Sequence, residues 1–398
     1  MRILYHHRTQ ADDGQAVHVR SLIGAFEEEG HRVAEVGLVQ HAGPARSGAQ
    51  AKQSARRRWG WVTRLPRFAR ELAEYAYSVP GRHRIQAEAA RFEPDFLYER
   101  HAFGNAAGVM AAQRLRLPLV LEVNAPMVDE LLKTRGLAFP GLARKLETHV
   151  FRAADRVCVV TAVLLEMLVD QGVERARLFV TPNGVHLARY DYPDRAAARA
   201  AARRDLGLAP AQGGAGEEEL VLGFVGYYRP WHRLDLVLDA LSAPPLRNAR
   251  LVLIGDGPAR PELERRAAER GVEARVHFAG RRPHDAIPDL LPAFDVALVP
   301  AINPYASPLK LHEYMAAGLP SIAPDQPNLR EVLTDGVDAL LVPPGDGEAL
   351  RAALTLLAAD PALRARLGAG ARATVIARDL TWRGNARRVV AAAREVLR

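Results

Sequence analysis

The sequence predicts an α/β protein made of two doubly wound parallel-sheet domains, and three observations predict this fold. Short apolar runs without polar alternation recur along the whole chain, which is typical of strands covered on both faces. Each run is followed by a segment with helical spacing, the order that connects parallel strands. The length of 398 residues exceeds one ordinary core, so two such series, one in each half, indicate two domains.

The first half contains six predicted strands and five predicted helices. The strands are residues 2–7, 31–39, 95–100, 117–124, 156–161 and 177–184. The helices are residues 15–29, 83–93, 104–115, 142–153 and 162–171. The alternation of the two predicts a Rossmann-like unit.

The second half repeats this pattern with six strands and six helices. The strands are residues 220–226, 249–257, 274–280, 296–300, 320–324 and 339–344. The helices are residues 232–242, 259–270, 284–293, 309–317, 327–334 and 346–358. Two such domains facing each other would form a crevice at the carboxyl ends of their strands, where a ligand binds.

The domain boundary is predicted from composition. Residues 191–219 are rich in Ala and Arg, then in Gly, then acidic, without an apolar period, which indicates a linker. The predicted domains are residues 1–190 and 220–380, and a C-terminal helix at 381–398 is expected to pack back on the first domain.

Composition excludes several classes of protein. The chain is 48% hydrophobic and 25% charged, as in globular proteins, and no apolar run reaches the ~18–20 residues that span a bilayer. The single cysteine, Cys158, excludes an internal disulfide and a multi-cysteine metal site. The N-terminus lacks the pattern of a signal peptide, so we expect a cytoplasmic protein.

The net charge of +8 is concentrated in the first half. Residues 1–190 hold 27 Lys and Arg against 20 Asp and Glu, a surplus of +7. This surplus indicates an anionic partner, either a phosphorylated substrate or a membrane surface. Nucleic acid is not expected, because no nucleic-acid-binding motif is found. Since only four basic residues are lysines, codon composition is an alternative explanation.

Residues 306–324 carry the strongest functional motif. Ser307 is predicted to cap a helix, Pro308 to occupy its first position, and the helix to run from Leu309. The helix N-terminus and Lys310 together suit a phosphate group. Glu313, one turn further on, can accept hydrogen bonds from the vicinal hydroxyls of a ribose. The alternative is a capped amphipathic helix with a surface Lys–Glu pair.

Residues 223–241 form a second motif, in which a buried strand ends at Gly226 before a basic, aromatic loop. The glycine allows a close approach of the backbone, and the loop offers cations to an anion. Its side chains are Tyr227, Tyr228, Arg229, Trp231, His232 and Arg233. The alternative is an ordinary exposed loop. Gly255 and Gly257 match a dinucleotide fingerprint only in part, which is weak evidence for NAD.

Several motifs along the chain, taken in order, resemble those of a known family. The order of "TPNGV", "FVGYYRPWHRLD", "LIGDGP", "SPLKLHEYMAAGLP" and "GVDALLVPPGD" is similar to that of GT-B glycosyltransferases of family 4, which are retaining and use nucleotide sugars. The similar elements cover nearly the whole chain. Within the family, the chain resembles the branch with a "WH" loop and an "SPLKxxEYMAxG" donor helix.

The chain departs from the usual family pattern at two places. Many members have two Glu residues with seven residues between them; in this chain Glu313 stands at the second position and Tyr305 at the first. Where many have Arg and Lys after the glycine, this chain has Tyr227 and His232. The resemblance therefore implies ribose binding by Glu313, and it leaves the diphosphate to Lys310, to Arg229 or Arg233, and to His232.

In the first domain, the resemblance places Gly14 in a loop facing the donor phosphates and the acceptor. Asn124 stands at the strand end where many members carry a histidine, with Glu122 beside it, and Arg100 and His101 follow the preceding strand. His101 and Glu122 each have a structural alternative, as hydrogen-bonded or paired buried side chains.

The resemblance implies an enzyme that moves a sugar from a nucleoside diphosphate donor to an acceptor hydroxyl, with retention and without a metal or another cofactor. The expected catalytic residues are Lys310, Arg229 and His232. The expected substrate-binding residues are Glu313, Ser307, Pro308, Leu309, Tyr305, Gly226, Tyr228, Arg233, Gly14, His101, Asn124 and Asn183. A sugar-nucleotide epimerase and a non-catalytic nucleotide-sugar-binding subunit are the alternatives.

Residues 54–70 mix arginines with Trp59, Trp61 and Phe68. Aromatic rings and arginines together favour the surface of an anionic membrane, so this segment is a candidate for contact with a lipid-linked acceptor. A loop that closes over a soluble anionic acceptor, and a solvated basic loop, are the other two interpretations.

Overall fold

The computed structural model describes residues 1–10, 14–39, 66–208 and 219–397. The chain divides into two compact units. The first unit holds residues 1–184 and 382–398, and the second holds residues 185–381. Each unit contains one six-stranded parallel sheet, which confirms the predicted fold class.

The sheet of the first unit has the strand order β2-β1-β3-β4-β5-β6. Its strands are β1 (Arg2–His6), β2 (Arg32–Val36), β3 (Phe96–Arg100), β4 (Leu119–Val123), β5 (Arg156–Val159) and β6 (Leu178–Val180). Its helices are α1 (Gly14–Glu28), α2 (Arg67–Ala76), α3 (Ser78–Phe92), α4 (Ala107–Leu115), α5 (Met127–Thr134), α6 (Pro140–Ala153) and α7 (Ala162–Asp170). The six predicted strands are all present, whereas α2 and α5 were not predicted.

The sheet of the second unit has the order β12-β11-β10-β7-β8-β9. Its strands are β7 (Leu220–Tyr227), β8 (Ala249–Asp256), β9 (Val276–Gly280), β10 (Val296–Leu298), β11 (Ser321–Pro324) and β12 (Leu340–Val342). Its helices are α8 (Arg195–Asp205), α9 (Leu234–Leu241), α10 (Arg260–Glu269), α11 (Ile287–Leu290), α12 (Leu309–Ala316), α13 (Pro327–Arg330), α14 (Gly347–Ala359) and α15 (Pro361–Ala377). The last helix of the chain, α16 (Trp382–Arg394), packs against α1 in the first unit.

The core of the second unit lies on both faces of its sheet. Along β8, Leu251 and Leu253 join one buried cluster, while Val252 and Ile254 join the other. Side chains of successive strand residues point to opposite faces, so a run of apolar residues serves both clusters. This double coverage explains why the strands carry no polar alternation in the sequence.

The predicted linker at 191–219 is wrong over its first part. Residues 195–205 form α8, which begins with the Asp194 side chain accepting a hydrogen bond from the Ala197 amide at 2.9 Å. Ala and Arg both favour helix, and α8 buries Ala202 within the second unit. The boundary therefore falls between residues 184 and 185 instead of at 190, and residues 209–218 lie outside the described residues.

Among the helices that the structure describes, none is both long enough and apolar enough to cross a bilayer. Of the basic, aromatic segment 54–70, residues 54–65 lie outside the described part of the chain. Its last residues begin α2, where the side chain of Phe68 is 53% exposed.

Candidate active site

The strand order of the second unit reverses between β7 and β10, which lie side by side. The chain leaves β7 toward β8 and β9 on one side, and leaves β10 toward β11 and β12 on the other. The carboxyl ends of two such strands leave a crevice, which is where open α/β sheets bind ligands. The loop 228–233 follows β7, and the segment 299–308 follows β10 and leads into α12.

Lys310 reaches from α12 to the end of β7. Its Nζ lies 3.7 Å from the centroid of the Phe224 ring. A Cβ at Gly226 would lie 2.9 Å from the same nitrogen, so a side chain at this position would displace the ammonium group. The glycine, with φ of 143°, and the aromatic face together hold one positive charge at the carboxyl end of the strand.

Two further features tie Lys310 to its surroundings. The Tyr314 hydroxyl, one turn along α12, accepts a hydrogen bond of 2.8 Å from the Val225 amide and so fixes the helix against β7. Burial lowers the pKa of Lys310 to about 7, and the nearby Glu313 carboxylate opposes part of that shift. An anion bound against Lys310 would favour the charged form, so the site is suited to a negatively charged ligand.

The start of α12 differs by one residue from the prediction. Pro308, not Ser307, is the N-cap residue, and Leu309 is the first helical residue. Because proline has no side-chain oxygen, Pro308 does not accept a capping hydrogen bond from the first turn. The Leu311 amide donates to the Pro308 carbonyl at 3.1 Å. Since the first amides of a helix generally lack intrahelical acceptors, the Leu309 and Lys310 amides remain suited to an anion beside the Lys310 side chain.

Glu313 is held by two side chains from other elements. It is 6% exposed, and its Oε1 lies 2.6 Å from Nε2 of His284. Its carboxylate also hydrogen-bonds the Tyr190 side chain, whose pKa is raised by burial and by this carboxylate. Neither partner was identified from the sequence, because both are distant from Glu313 along the chain and neither stands in a motif of its own.

Arg229 is an exposed cation in the loop after β7. Its guanidinium lies 4.6 Å from the Tyr227 ring centroid and 5.0 Å from that of Trp231. Both rings are nearly half exposed, so the stacked guanidinium lies near solvent. No ion pair between Arg229 and a carboxylate is found among the described residues. This arrangement keeps its charge available to an anionic ligand.

His232 does not supply the positive charge that the sequence predicts. The ring is buried, its Nδ1 accepts a hydrogen bond of 3.4 Å from the Arg229 amide, and the side chain also bonds the backbone of Tyr227. Burial, followed by the charge of Lys310, lowers the pKa of His232 to about 3. The ring therefore shapes the loop as a neutral side chain, and its role at the diphosphate remains a prediction.

Two other predicted ligand contacts, Arg233 and Tyr228, have partners within the second unit. The Arg233 guanidinium chelates the Asp235 carboxylate, with Nη2 3.0 Å from Oδ2, so its charge is already paired at the start of α9. Tyr228 is fully buried, and its hydroxyl donates a hydrogen bond of 2.7 Å to the Leu253 carbonyl. Tyr228 is therefore turned into the core, whereas the Arg233 side chain stays 42% exposed and its contact with the donor remains a prediction.

The glycines of the partial dinucleotide fingerprint have a packing role. A Cβ at Gly255 would lie 1.9 Å from the Gly226 carbonyl oxygen, and one at Gly257 would lie 2.4 Å from the backbone nitrogen of Tyr228. Only glycine allows the ends of β7 and β8 to approach so closely. This motif therefore shapes the strand ends that carry Gly226 and the loop after it.

Tyr305 lies in a loop that is fixed by a buried asparagine. The Nδ2 of Asn328 donates to the carbonyl oxygens of Asn303 and Ala306, at 3.2 and 2.7 Å. The Asn303 side chain in turn lies 3.3 Å from the Tyr305 hydroxyl. The phenol at the position of the usual first Glu is thus part of an ordered segment before α12.

In the first unit, Glu122 is the centre of a polar cluster at the end of β4. The carboxylate is 2% exposed, accepts a hydrogen bond of 2.7 Å from Tyr98, and pairs with Arg100. His18 of α1 places Nε2 3.0 Å from Glu122 Oε1. Burial would raise the pKa of Glu122, but His18 and Arg100 outweigh it and hold that pKa well below its usual range.

The predicted residues of the first unit divide into two groups. Asn124 donates to Glu122, and Asn183 Oδ1 lies 2.9 Å from His18 Nδ1, so both belong to this cluster. His101 does not, because its ring pairs with Glu147 at 3.4 Å and packs against an aromatic ring of α6. The His101 ring is therefore held against α6, away from Glu122, and Gly14 is the exposed first residue of α1.

Across the described residues, no group of three or more His, Cys, Asp or Glu side chains is arranged to hold a metal ion. At the end of β7 lie the cations Lys310 and Arg229, and the Glu313 carboxylate lies one turn further along α12. Asp256, opposite the last residue of β7 in the sheet, is paired with Arg281. Lys310, Arg229 and Glu313 together can bind an anion next to a hydroxylated group.

Comparisons with known proteins agree with this arrangement. The family model described as glycosyl transferases group 1 matches residues 208–374, and the one described as glycosyltransferase family 4 matches residues 13–189. A D-inositol 3-phosphate glycosyltransferase of Xylanimonas cellulosilytica is 33% identical over 73% of this chain and 70% of its own length. That of Nocardia farcinica is 30% identical over 70% of this chain, which spans 59% of the relative.

Solved structures share the fold over the whole chain at low identity. The Anabaena protein HepE in complex with UDP matches with a TM-score of 0.74 and 19% identity, covering 100% of both chains. Sucrose-phosphate synthase of Thermosynechococcus elongatus matches with a TM-score of 0.73 and 20% identity, covering 100% of this chain and 99% of the other.

Two Rossmann-like units with parallel sheets, matched over their length by glycosyltransferases, define a sugar-transferring enzyme with the GT-B fold. The chain belongs to the GT-B glycosyltransferases of family 4.

Proposed function

We propose that this enzyme transfers a sugar from a nucleoside diphosphate donor to an acceptor hydroxyl with retention at the anomeric carbon, and that the second unit binds the donor. The observation that carries the proposal is the position of Lys310, held against Gly226 and Phe224 at the start of α12. One turn further on, Glu313 offers a carboxylate for ribose hydroxyls. In a nucleoside diphosphate the ribose is bonded to the diphosphate, so a cation for the phosphates and a carboxylate for the ribose hydroxyls are expected close together, as on α12.

The leaving diphosphate gains negative charge as its bond to the sugar breaks. In this proposal Lys310, Arg229 and the first amides of α12 stabilise that charge, and electrostatic stabilisation of this kind is usually the largest single contribution to enzyme catalysis. In this mechanism the bond from the anomeric carbon to the phosphate oxygen breaks. The acceptor oxygen then bonds to the same face of that carbon, and the acceptor proton passes to the departing phosphate oxygen.

We propose that the reaction needs no metal ion, since Lys310 supplies the positive charge at the diphosphate. The sequence has no Asp-x-Asp pair in a donor loop, the usual carboxylate arrangement for a divalent cation. Activity should therefore survive dialysis against a chelator. A loss of activity that only magnesium or manganese restores would contradict this proposal.

For the acceptor, we propose a hydroxylated anionic compound recognised by the first unit. The relatives are named for D-inositol 3-phosphate, and the first half of this chain carries the basic surplus. Arg100 ends β3 and Asn124 follows β4, and both side chains donate to the Glu122 carboxylate between them, so they are candidates for contact with such an acceptor. A lipid-linked acceptor on the cytoplasmic face of a membrane, contacted through residues 54–70, is the second candidate, favoured by the exposed Phe68.

The donor proposal is tested by measuring thermal shifts with UDP, GDP and ADP sugars, followed by turnover with the best binder. We expect one nucleotide series to stabilise the protein and to release free nucleoside diphosphate when inositol 3-phosphate is added. Lys310→Ala is the inactive control. Stabilisation by none of the three series would contradict the proposed donor class.

Binding to anionic vesicles separates the two acceptor candidates. The membrane candidate requires sedimentation that weakens as salt rises and that falls when Arg56, Arg57 and Arg58 are replaced by Ala. Equal, negligible sedimentation with neutral and anionic vesicles at low salt would leave the soluble acceptor.

A further inference from the structure

The carboxylate of Glu313 is fixed from outside its own helix. His284, in the short helical turn after β9, reaches Oε1 with its Nε2 at 2.6 Å. Tyr190, at the end of the turn Leu187–Tyr190, hydrogen-bonds the same carboxylate and is itself 4% exposed. A glutamate on a helix otherwise samples several rotamers, so these two partners select one.

The two segments that hold Glu313 are joined to each other. The guanidinium of Arg189 donates to the Asp285 carbonyl oxygen at 2.6 Å and to its carboxylate at 3.1 Å. The Tyr192 hydroxyl donates to the Pro288 carbonyl oxygen at 2.7 Å. Arg189 and Tyr192 therefore tie the chain around Tyr190 to the residues next to His284, and together these two segments form a frame around Glu313. Arg372 also joins this frame to α12, because its guanidinium donates to the carbonyl oxygens of Tyr190 and Ala316.

The frame leaves the carboxylate able to bind a diol. Each carboxylate oxygen has two lone pairs, so a bond to His284 and a bond to Tyr190 leave acceptor positions on both oxygens. Vicinal hydroxyls are two donors at a fixed spacing, and a carboxylate in one orientation accepts both. A carboxylate that rotated freely would lose entropy on binding them.

We infer that His284 is a positioning residue that orients Glu313 toward the 2′ and 3′ hydroxyls of the donor ribose, an inference that rests on the proposed function. In this role His284 acts on ribose recognition and not on the diphosphate. The opposite role is that of a placeholder, in which the His284 N–H occupies the position that a ribose hydroxyl takes in the complex.

Calorimetric titration with UDP and with 2′-deoxy-UDP separates these two roles. If the donor panel selects GDP or ADP, that nucleotide and its 2′-deoxy form are used instead. Since a hydrogen bond to a charged group is strong, we expect wild type to prefer the ribonucleotide by roughly tenfold or more. His284→Ala should reduce this preference to within about threefold, with pyrophosphate affinity unchanged. The donor KM should rise more than kcat falls, because the ribose is bound alike before and during reaction.

Two variants serve as controls. His284→Gln keeps an N–H donor and should restore part of the preference for the ribonucleotide. His277→Gln changes a histidine of β9 that is not in contact with Glu313 in the described bonds, and it should leave the preference at the wild-type value. Melting temperatures show whether each variant is folded. If His284→Ala does not fold, the preference for the ribonucleotide is compared between wild type and His284→Gln.

An unchanged preference in both folded His284 variants would overturn the inference alone. Tighter UDP binding by His284→Ala would also overturn it, since that result identifies a placeholder. Failure of wild type to bind UDP, GDP or ADP would overturn the proposed function and, with it, this inference.

Discussion

Replacement of Gly226 by alanine tests how the phosphate cation is placed. The new Cβ would lie 2.9 Å from Lys310 Nζ and 3.3 Å from its Cε. Because both atoms belong to the end of a flexible side chain, the lysine can move aside and the fold survives. The φ of 143° is unfavourable for alanine, which costs about 1–3 kcal/mol of stability.

The displaced ammonium leaves the Phe224 face and the expected diphosphate position. The cation–π contact contributes ~0.5–2 kcal/mol, and removing a donor aimed at developing charge lowers kcat by about 100-fold. For a lysine that is displaced instead of deleted, we expect kcat/KM for the donor to fall by about 10- to 100-fold. The assay is nucleoside diphosphate release at subsaturating donor, with urea unfolding as the measure of stability.

Gly271→Ala is the matched control. This glycine also has a positive φ, of 65°, but a Cβ there meets no atom within 4 Å. It should lose stability from backbone strain alone and keep its kcat/KM. If Gly226→Ala retains wild-type kcat/KM, Lys310 does not act from the position described and the reasoning is refuted.

The side chains of Lys310, Tyr228 and Tyr305 each give a further prediction. The pKa of Lys310 is lowered to about 7 from 10.5, so between pH 7 and 10 the unfolded chain binds more protons than the folded chain. The free energy of unfolding of wild type should therefore rise with pH over this range, relative to that of Lys310→Met. Identical pH profiles for the two proteins would contradict the lowered pKa. Tyr228→Phe removes the bond to the Leu253 carbonyl and should cost about 1 kcal/mol of stability while activity persists, and a selective loss of donor binding would restore Tyr228 to the site. Tyr305→Phe should keep substantial activity, because a phenol cannot replace a carboxylate in chemistry; a fall of several hundredfold with donor binding unchanged would assign the hydroxyl a chemical role.

The sequence predicts what depends on local pattern. All twelve strands follow from apolar runs, and the helix with Lys310 and Glu313 follows from its spacing and from the resemblance to the family. The predicted cap at Ser307 differs from the observed cap, Pro308, by one residue, because a serine followed by a proline is also a common way for a helix to begin. The Ala- and Arg-rich stretch predicted as a linker forms α8 instead, because both residues favour helix even where no apolar period marks a buried face.

The sequence does not predict contacts that only the folded chain creates. His18 and Asn183 meet at 2.9 Å across 165 positions, and Tyr190 and His284 approach Glu313 from two different loops. The same limit explains Tyr228 and His232, which stand in a promising loop but turn into the core. Residue type indicates what a side chain can do, whereas its burial and partners decide whether it faces a ligand.

The central claim is that Lys310 binds the diphosphate and Glu313 the ribose of the donor. Calorimetry with the best nucleoside diphosphate and with pyrophosphate, on wild type, Lys310→Ala and Glu313→Gln, tests it most directly. We predict that Lys310→Ala weakens binding of both compounds by ~2–4 kcal/mol, whereas Glu313→Gln weakens only the nucleotide. Wild-type affinity for the nucleotide in both variants would contradict the account.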